Sequence, residues 1–546
     1  MTNLTNIGGG HMDKIDVTKL TQMSNFEVAA LFYKYALTNS RGLRAINVGR
    51  GNPNWINTQA RFAFNRIVEF GMKESLQTIN LDDGNLAGYT DQTGIAECFN
   101  QFLDGDNPVD AFLKQALAYT RDVMHINQDE LVFEWVDGVI GNHYPEPSRS
   151  LVNVEKILNR YLEVNLYRGE HLSDKTKVFP TEGGTAAMVY LFNELKVSHI
   201  LEAGDTIAIN TPIFTPYLQI PELNEFKLQE FNVSSDESDD WQLVDHKFEE
   251  LKDPNVKAFF VVNPTNPTSR AFSDHALDKL KEVVEANPNL VIITDDVYGT
   301  FVDDFKTIYS VVPHNTLLVY SFSKLYGATG QRIGLIAMHD DNIFDKLIEE
   351  MTAEDPVIRE AFRKRYSYVT NKPHEMSFID RTVADSRNIG LYHAAGLSTP
   401  QQITMALFSL TNLIYEGRED PYVTASKEIV SHRYKAFWES LGLVVKTTEE
   451  NAEYYTVFSI YKLAESKYSK DFRAYLEQNC NHLAFEWRLA AEYGVVVMDG
   501  AGMGTKAGYL RISLANRPDK DYETVGGRIS DLLASYYTEY LQSKAQ

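Results

Sequence analysis

The middle of the chain predicts an α/β protein: a mostly parallel central sheet with helices on both faces, joined to a smaller α+β domain. Short apolar runs recur at residues 206–209, 256–262, 290–294, 317–320 and 333–338, each the length of a buried strand. Between two of them, residues 274–286 have the spacing of an amphipathic helix, with Ser273 as its cap. The chain has 546 residues, too many for one simple core, so two domains are expected.

Residues 1–12, which include Gly-Gly-Gly-His-Met, read as a tail or cloning scar outside the fold. A helix is expected over 24–37 with Ser24 capping it, followed by a polar, Gly-rich stretch through Gly49, Gly51 and Pro53. Further helices are expected around 61–77 and 94–103. Beyond residue 399 long helices mix with a few strands. These patterns divide the chain into an N-terminal segment (13–59) packing with the small domain, a large domain (60–394) with an insertion at about 98–175, and a small C-terminal domain (395–546).

There are 52 Lys plus Arg against 75 Asp plus Glu, a formal net charge of -23. Such a surface repels nucleic acid and anionic membranes, which sets aside those function classes. Only Cys98 and Cys480 occur, so a disulfide framework is not expected and a reducing, cytoplasmic compartment is. No apolar run reaches the length of a membrane span, and no signal peptide is evident at the N-terminus.

The strongest chemical signal is Ser321-Phe322-Ser323-Lys324, with Arg332 eight residues after the lysine. A lysine at a strand end can form a Schiff base with an aldehyde, and the flanking hydroxyls and guanidinium suit a phosphate beside it. A surface lysine is the plainer reading of Lys324 taken alone. Gly183-Gly184-Thr185 opens a helical pattern, where free N–H groups can meet a phosphate; a plain helix start fits as well. Asn263-Pro264-Thr265-Asn266-Pro267-Thr268 and Asp295-Asp296-Val297-Tyr298 each close an apolar run. The first could be a turn without function, and Asp296 a solvated carboxylate beside Asp295.

Together these segments resemble the fold-type I pyridoxal-phosphate enzymes, in order and in spacing. The resemblance implies pyridoxal 5'-phosphate bound to Lys324 in the large domain. Gly183, Gly184, Thr185, Ser321, Ser323 and Arg332 would hold its phosphate, although the family usually has Ser or Thr where Gly183 stands. Phe214 would stack on the pyridine ring, Asp295 would pair with its nitrogen, and Asn266 and Tyr298 would bond its ring oxygen. Ser269 stands where the family's turn has glycine. Arg511, on an alternating strand, would clamp the substrate α-carboxylate together with Asn266. Its alternation alone fits either a cleft or a solvated face. Arg50, in a segment resembling the glycine loop that closes over substrate with Gly51, departs from most aminotransferases; it suits a second carboxylate or an exposed position. Tyr89 would reach the phosphate of a neighbouring subunit, or pack locally.

Over nearly its full length the sequence also resembles the L-aspartate 4-decarboxylases, which are aspartate aminotransferases as well. The segments Trp135-Val136-Asp137-Gly138, residues 142–149 with Tyr144, and residues 395–402 carry that resemblance. It implies conversion of L-aspartate to L-alanine and CO2, with side transamination to oxaloacetate using small 2-oxo acids. It also implies a homodimer with shared active sites, built into larger assemblies. Arg50 and Tyr144 are the expected handlers of the β-carboxylate. An ordinary aminotransferase is the alternative; a cofactor-binding regulator is disfavoured by the lack of a basic region.

Overall fold

The computed structural model describes residues 17–81, 84–144, 149–232, 241–391, 395–445 and 447–545. The tail at 1–12 and residues 145–148 of the segment around Tyr144 lie outside them.

Seven strands form the central sheet: β1 (Thr176–Thr181), β2 (Thr206–Thr211), β3 (Lys227–Asn232), β4 (Val256–Val262), β5 (Val291–Asp295), β6 (Thr316–Ser321) and β7 (Gly334–His339), in the order β1-β7-β6-β5-β4-β2-β3. Neighbours from β3 across to β6 are parallel. β7 runs antiparallel to both β6 and β1. Side chains alternate between two buried layers, as a period of two requires. Phe259, Val261 and Ile292 enter one layer with Leu277 and Leu280 of the helix Asp274–Ala286. Phe260, Val262 and Ile293 enter the other, with Met188 and Leu191 of the helix Gly184–Val197. β1 and β3 escape the apolar-run criterion because they are edges, where Pro180 of β1 and the polar Lys227, Gln229 and Glu230 of β3 are tolerated.

This topology decides where chemistry can collect. The segments holding Gly183, Phe214, Asn266 and Lys324 follow the carboxyl ends of β1, β2, β4 and β6, and Asp295 ends β5. That edge is the usual ligand-binding edge of open α/β sheets. Because β7 is antiparallel, its first residue, Gly334, lies beside Ser321 and Thr181. Arg332, just before it, therefore arrives at the same edge.

A smaller antiparallel sheet has the order β8-β10-β9, from β8 (Tyr455–Ser459), β9 (Met498–Asp499) and β10 (Tyr509–Ser513). The helices Pro421–Ser440 and Asp519–Ala545 pack beside it, with Phe437, Val525 and Ile529 sharing its core. Ser24 caps the helix Asn25–Leu37 in a reciprocal pair with Glu27, and this helix packs on His482–Tyr493. Strand Ile46–Asn47 then pairs with Val495–Val496, tying the N-terminal segment to the smaller body.

The large core reaches past the boundary read at residue 395. Helix Thr399–Leu413 packs against Gln59–Thr78, Gln128–Ile140 and Val152–Leu166. It is buried nearly all round, which places it inside a core and not on a domain surface. The insertion is likewise part of this core: Trp135 and Tyr161 are fully buried. No helix among the described residues is long and apolar enough to cross a membrane.

The turn after Lys324 closes tightly. Gly327 has φ +58°, and a Cβ there would lie 1.9 Å from the Trp55 carbonyl oxygen. Gly327→Ala is therefore expected to cost about 1–3 kcal/mol and lower the melting temperature by about 1–3 °C. Thermal unfolding checks this, and an unchanged midpoint would contradict the packing described.

Candidate functional site

A cavity of about 730 Å3 opens at the carboxyl edge of the sheet, between it, the smaller body and the N-terminal segment. Lys324 lies on its wall with its Nζ donating to the Gly51 carbonyl at 3.1 Å. The Gly-rich stretch is thus brought directly over the lysine. The Tyr454 hydroxyl donates to the same carbonyl at 2.9 Å.

One end of the cavity is built to receive an anion. The helix Gly184–Val197 begins there without a side-chain cap, leaving first-turn N–H groups free of such a partner. Gly184, Thr185, Ser321, Ser323 and Arg332 line the cavity beside it. Gly183 stands behind, at φ +92°, where a Cβ would lie 2.3 Å from an Arg332 nitrogen. A Cβ at this position would meet the end of the Arg332 side chain, which would have to shift to admit a serine or threonine. Arg332 donates to the Thr329 and Glu182 carbonyls, which fix its direction. The 395–402 segment buttresses this turn: Gly396 N–H donates to Glu182 at 2.8 Å, and the Gln401 amide donates to the Gln331 carbonyl at 2.6 Å.

At the centre, Asp295 accepts from the Tyr217 hydroxyl at 2.9 Å and from the Val297 N–H at 3.2 Å. Burial pushes its carboxyl up to about 6, against the pull of those bonds and of the Lys324 charge. Asp296 faces away, fully buried and accepting from the Thr294 hydroxyl, with its carboxyl pushed up to about 8 by burial. It is not the solvated strand-end carboxylate that its sequence position suggested. Phe214 forms an edge-to-face pair with Tyr217 on the cavity wall.

At the other end, Arg511 is buried, with 2% of its surface exposed. Its Nη1 donates to Asn266 Oδ1 at 3.1 Å, and Nη2 donates to the Gly49 carbonyl. The guanidinium carbon stands 4.5 Å from the centre of the Tyr455 ring, and its Nε has no partner. Among the described residues Arg511 has no ion pair, which is a costly state for a buried cation. Arg50 lines the same cavity, exposed and without an ion pair among the described residues. Asp295 is the single acid among the cavity's described lining residues, against Lys34, Arg50, Lys324, Arg332 and Arg511. In a chain of net charge -23 this is a local inversion that draws anions inward.

Among the lining residues not anticipated from the sequence, Tyr217 and Tyr455 shape the site most directly. Tyr217 is one helical turn after Phe214. Tyr455 bonds the Tyr298 hydroxyl at 3.0 Å and presses on Gly51, whose added Cβ would lie 2.1 Å from its oxygen. Ser269 adopts φ +60°, the conformation for which the family's turn uses glycine. Its hydroxyl accepts the Tyr455 N–H at 2.8 Å and its own N–H donates to Thr265, which offsets the strain. Tyr89 and Tyr144 do not reach the cavity of their own chain. Both are exposed, at 66% and 70%, and Tyr89 stacks on His143 at 5.4 Å. Local stacking and the Thr78 bond to the Tyr89 carbonyl hold that loop away.

The donor set fits a phosphorylated pyridine aldehyde. It offers an amine for the aldehyde, an uncapped helix start with hydroxyls and guanidinium for the phosphate, a buried acid for the ring nitrogen and an aromatic wall.

The sequence profile of aminotransferase class I and II matches residues 147–529. A relative from Pseudomonas sp, described as a bifunctional aspartate aminotransferase and L-aspartate beta-decarboxylase, is 38% identical over 528 residues, covering 96% of this chain and 98% of its own. A probable aspartate aminotransferase from Methanocaldococcus jannaschii is 30% identical over 31% of this chain and 42% of its own. Among solved structures, the Thermus thermophilus aspartate aminotransferase with maleate superposes with a TM-score of 0.59 at 15% identity, over 95% of this chain and all (100%) of that one. Alanine aminotransferase from Pyrococcus furiosus gives 0.60 at 17% identity, over 96% and 100%. At such identities the likeness is one of fold.

The Asp295 environment sets a pH dependence. Without cofactor, the folded carboxyl keeps its proton up to about pH 6, while the unfolded one loses it near the ordinary value of about 4. The folded state binds the extra proton in that window, so this contribution to stability is complete below about pH 4 and lost as pH rises through about 6. Cofactor-free Asp295→Asn should therefore melt above the wild type by a margin that grows from about pH 5 to about pH 7. Melting curves test it; a margin that stays flat or shrinks would refute the assigned environment.

Proposed function

This chain belongs to the class I and II aminotransferase family, and on that premise we propose that it releases the β-carboxylate of L-aspartate as CO2, giving L-alanine, with transamination to oxaloacetate as a second outcome. The observation that carries the reading is the pairing of near-full-length similarity to the Pseudomonas relative with two guanidinium groups, Arg511 and Arg50, lining one cavity without ion pairs among the described residues. A dicarboxylate supplies one carboxylate to each.

Pyridoxal phosphate, when bound, supplies an aldehyde for exchange with the substrate amine and an electron sink for the bonds that break beside it. Gly184, Thr185, Ser321, Ser323 and Arg332 would hold its phosphate, with Gly183 leaving room for the Arg332 guanidinium. Asp295 would keep a proton on the ring nitrogen; burial beside Tyr217 confines its carboxylate to that task. Tyr298 and Asn266 would donate to the ring oxygen, and Phe214 would cover a ring face. Arg511 binds the α-carboxylate in a two-pronged contact, and its bonds to Asn266 and Gly49 orient it. Lys324 Nζ would hold the aldehyde and, once free of it, would be the base placed to take the substrate's α-proton. Arg50 positions the β-carboxylate. Being exposed, it balances that charge weakly, which leaves the group free to depart.

Tyr89 and Tyr144 act in this reading from a second copy of the chain. The face around Tyr89 supports that arrangement, since Ile79, Leu81 and Leu86 are exposed there at 47–58%. The two free cysteines suit a reducing, cytoplasmic setting.

Incubation with L-aspartate should yield alanine and CO2 in equal amounts, and oxaloacetate when a 2-oxo acid is supplied. Arg511→Gln should raise the KM for aspartate at least about tenfold, the loss of a charge-assisted pair worth roughly 1.4 kcal/mol or more. Formation of oxaloacetate without CO2 would leave an ordinary aminotransferase. In a separate measurement, the Arg50→Ala, Tyr144→Phe pair should lower CO2 release relative to oxaloacetate; release equal to wild type would remove both residues from the account.

A further inference from the structure

Along β8, at the edge of the smaller sheet, lies a further cavity of about 400 Å3, lined by residues from both faces of that strand. Its walls are aromatic and apolar: Trp241, Tyr434, Trp438 and Val457 line it, together with Thr268, Arg270 and Lys462. Two cations, Arg270 and Lys462, are among its described lining residues. Glu453 lies within electrostatic reach of Arg270, outside the lining. The Trp438 indole N–H is already used, donating to the Thr456 hydroxyl at 3.1 Å. Trp241 is braced edge-to-face against Tyr509 at 5.5 Å. The Thr268 hydroxyl is different: the residue is 95% buried, at 5% exposure, and its Oγ1 has no hydrogen-bond partner. A buried hydroxyl left unpaired costs about 1–3 kcal/mol, so a ligand atom that bonds it recovers that loss.

We propose that this cavity is a binding site for a small aromatic carboxylate, with its ring between Trp241 and Trp438, its carboxylate toward Arg270 and Lys462, and an oxygen accepting from the Thr268 hydroxyl. The size and chemistry agree: a cavity of this volume is within the range of small-ligand sites, and an apolar wall with a few convergent polar groups is their usual composition. The position gives the site a means of acting on catalysis. Thr268 is two residues from Asn266, and Ser269 between them and Arg270 holds the Tyr455 N–H. Val457, on the cavity wall, pairs in register with Arg511 of β10. A ligand that stiffens the 268–270 turn and β8 stiffens both supports of the Arg511 guanidinium.

The test uses the full-length holoenzyme and 2-naphthoate as probe, titrated calorimetrically in the presence of saturating succinate, which occupies the dicarboxylate end of the catalytic cavity. One saturable site per chain should persist under succinate. Lys462→Glu and Thr268→Val should each weaken it at least about tenfold, while the cofactor absorption spectrum stays at that of the wild type and the melting temperature does not fall. The neutral analogue 2-naphthylmethanol should bind more weakly than the acid. Displacement of naphthoate by succinate would assign it to the catalytic cavity and overturn the proposal. So would the absence of binding, or affinity unchanged in both variants. Thr268→Val guards against misfolding as a cause, because it removes an unpaired polar atom at nearly constant volume.

Discussion

Arg511 holds three separate parts of the chain to one point. Its guanidinium comes from the smaller sheet, donates to Asn266 after β4 of the large sheet, and donates to Gly49 of the N-terminal segment. Without that junction, the cavity would lose the wall that faces Lys324. The same junction leaves the cation buried with a nitrogen unpaired and no ion pair among the described residues. The folded protein therefore carries an electrostatic cost that a carboxylate ligand relieves, which is how a binding site stores selectivity for its anion.

The sheet supplies the other half of the arrangement. Parallel strands deliver their following loops to one edge, and one antiparallel strand brings Arg332 back to it. The chemistry is then sorted by burial. Asp295 is enclosed with Tyr217, so its proton affinity rises and its contact with bulk solvent is lost. Arg332 and Arg50 remain open to water. A buried acid between accessible cations is the charge pattern that an anionic, protonated heteroaromatic ring demands.

Much of this was legible in the sequence because it is local. Ser24 and Ser273 cap their helices, and the five apolar runs are strands. The residues following those strands meet because topology, not sequence distance, gathers them. What escaped is contact between distant elements. Tyr455 enters the site through a hydroxyl bond to Tyr298, 157 positions away, and no spacing pattern announces it. Ser269 stands in a glycine turn, and what holds it there, its hydroxyl accepting the Tyr455 N–H, comes from a distant strand. Helix Thr399–Leu413 packs among three distant helices, and its all-round burial is a property of those neighbours as much as of its own composition. Tyr89 and Tyr144 are exposed and do not line their own chain's cavity, a placement that no local sequence pattern announces.

The covalent assignment is the centre of the account, and it can be read directly. Holoenzyme reduced with borohydride, digested and mapped by mass spectrometry should carry one phosphopyridoxyl group per chain, on Lys324. Recovery of that group on another lysine, such as Lys34 on the same cavity wall, or on none, would contradict it.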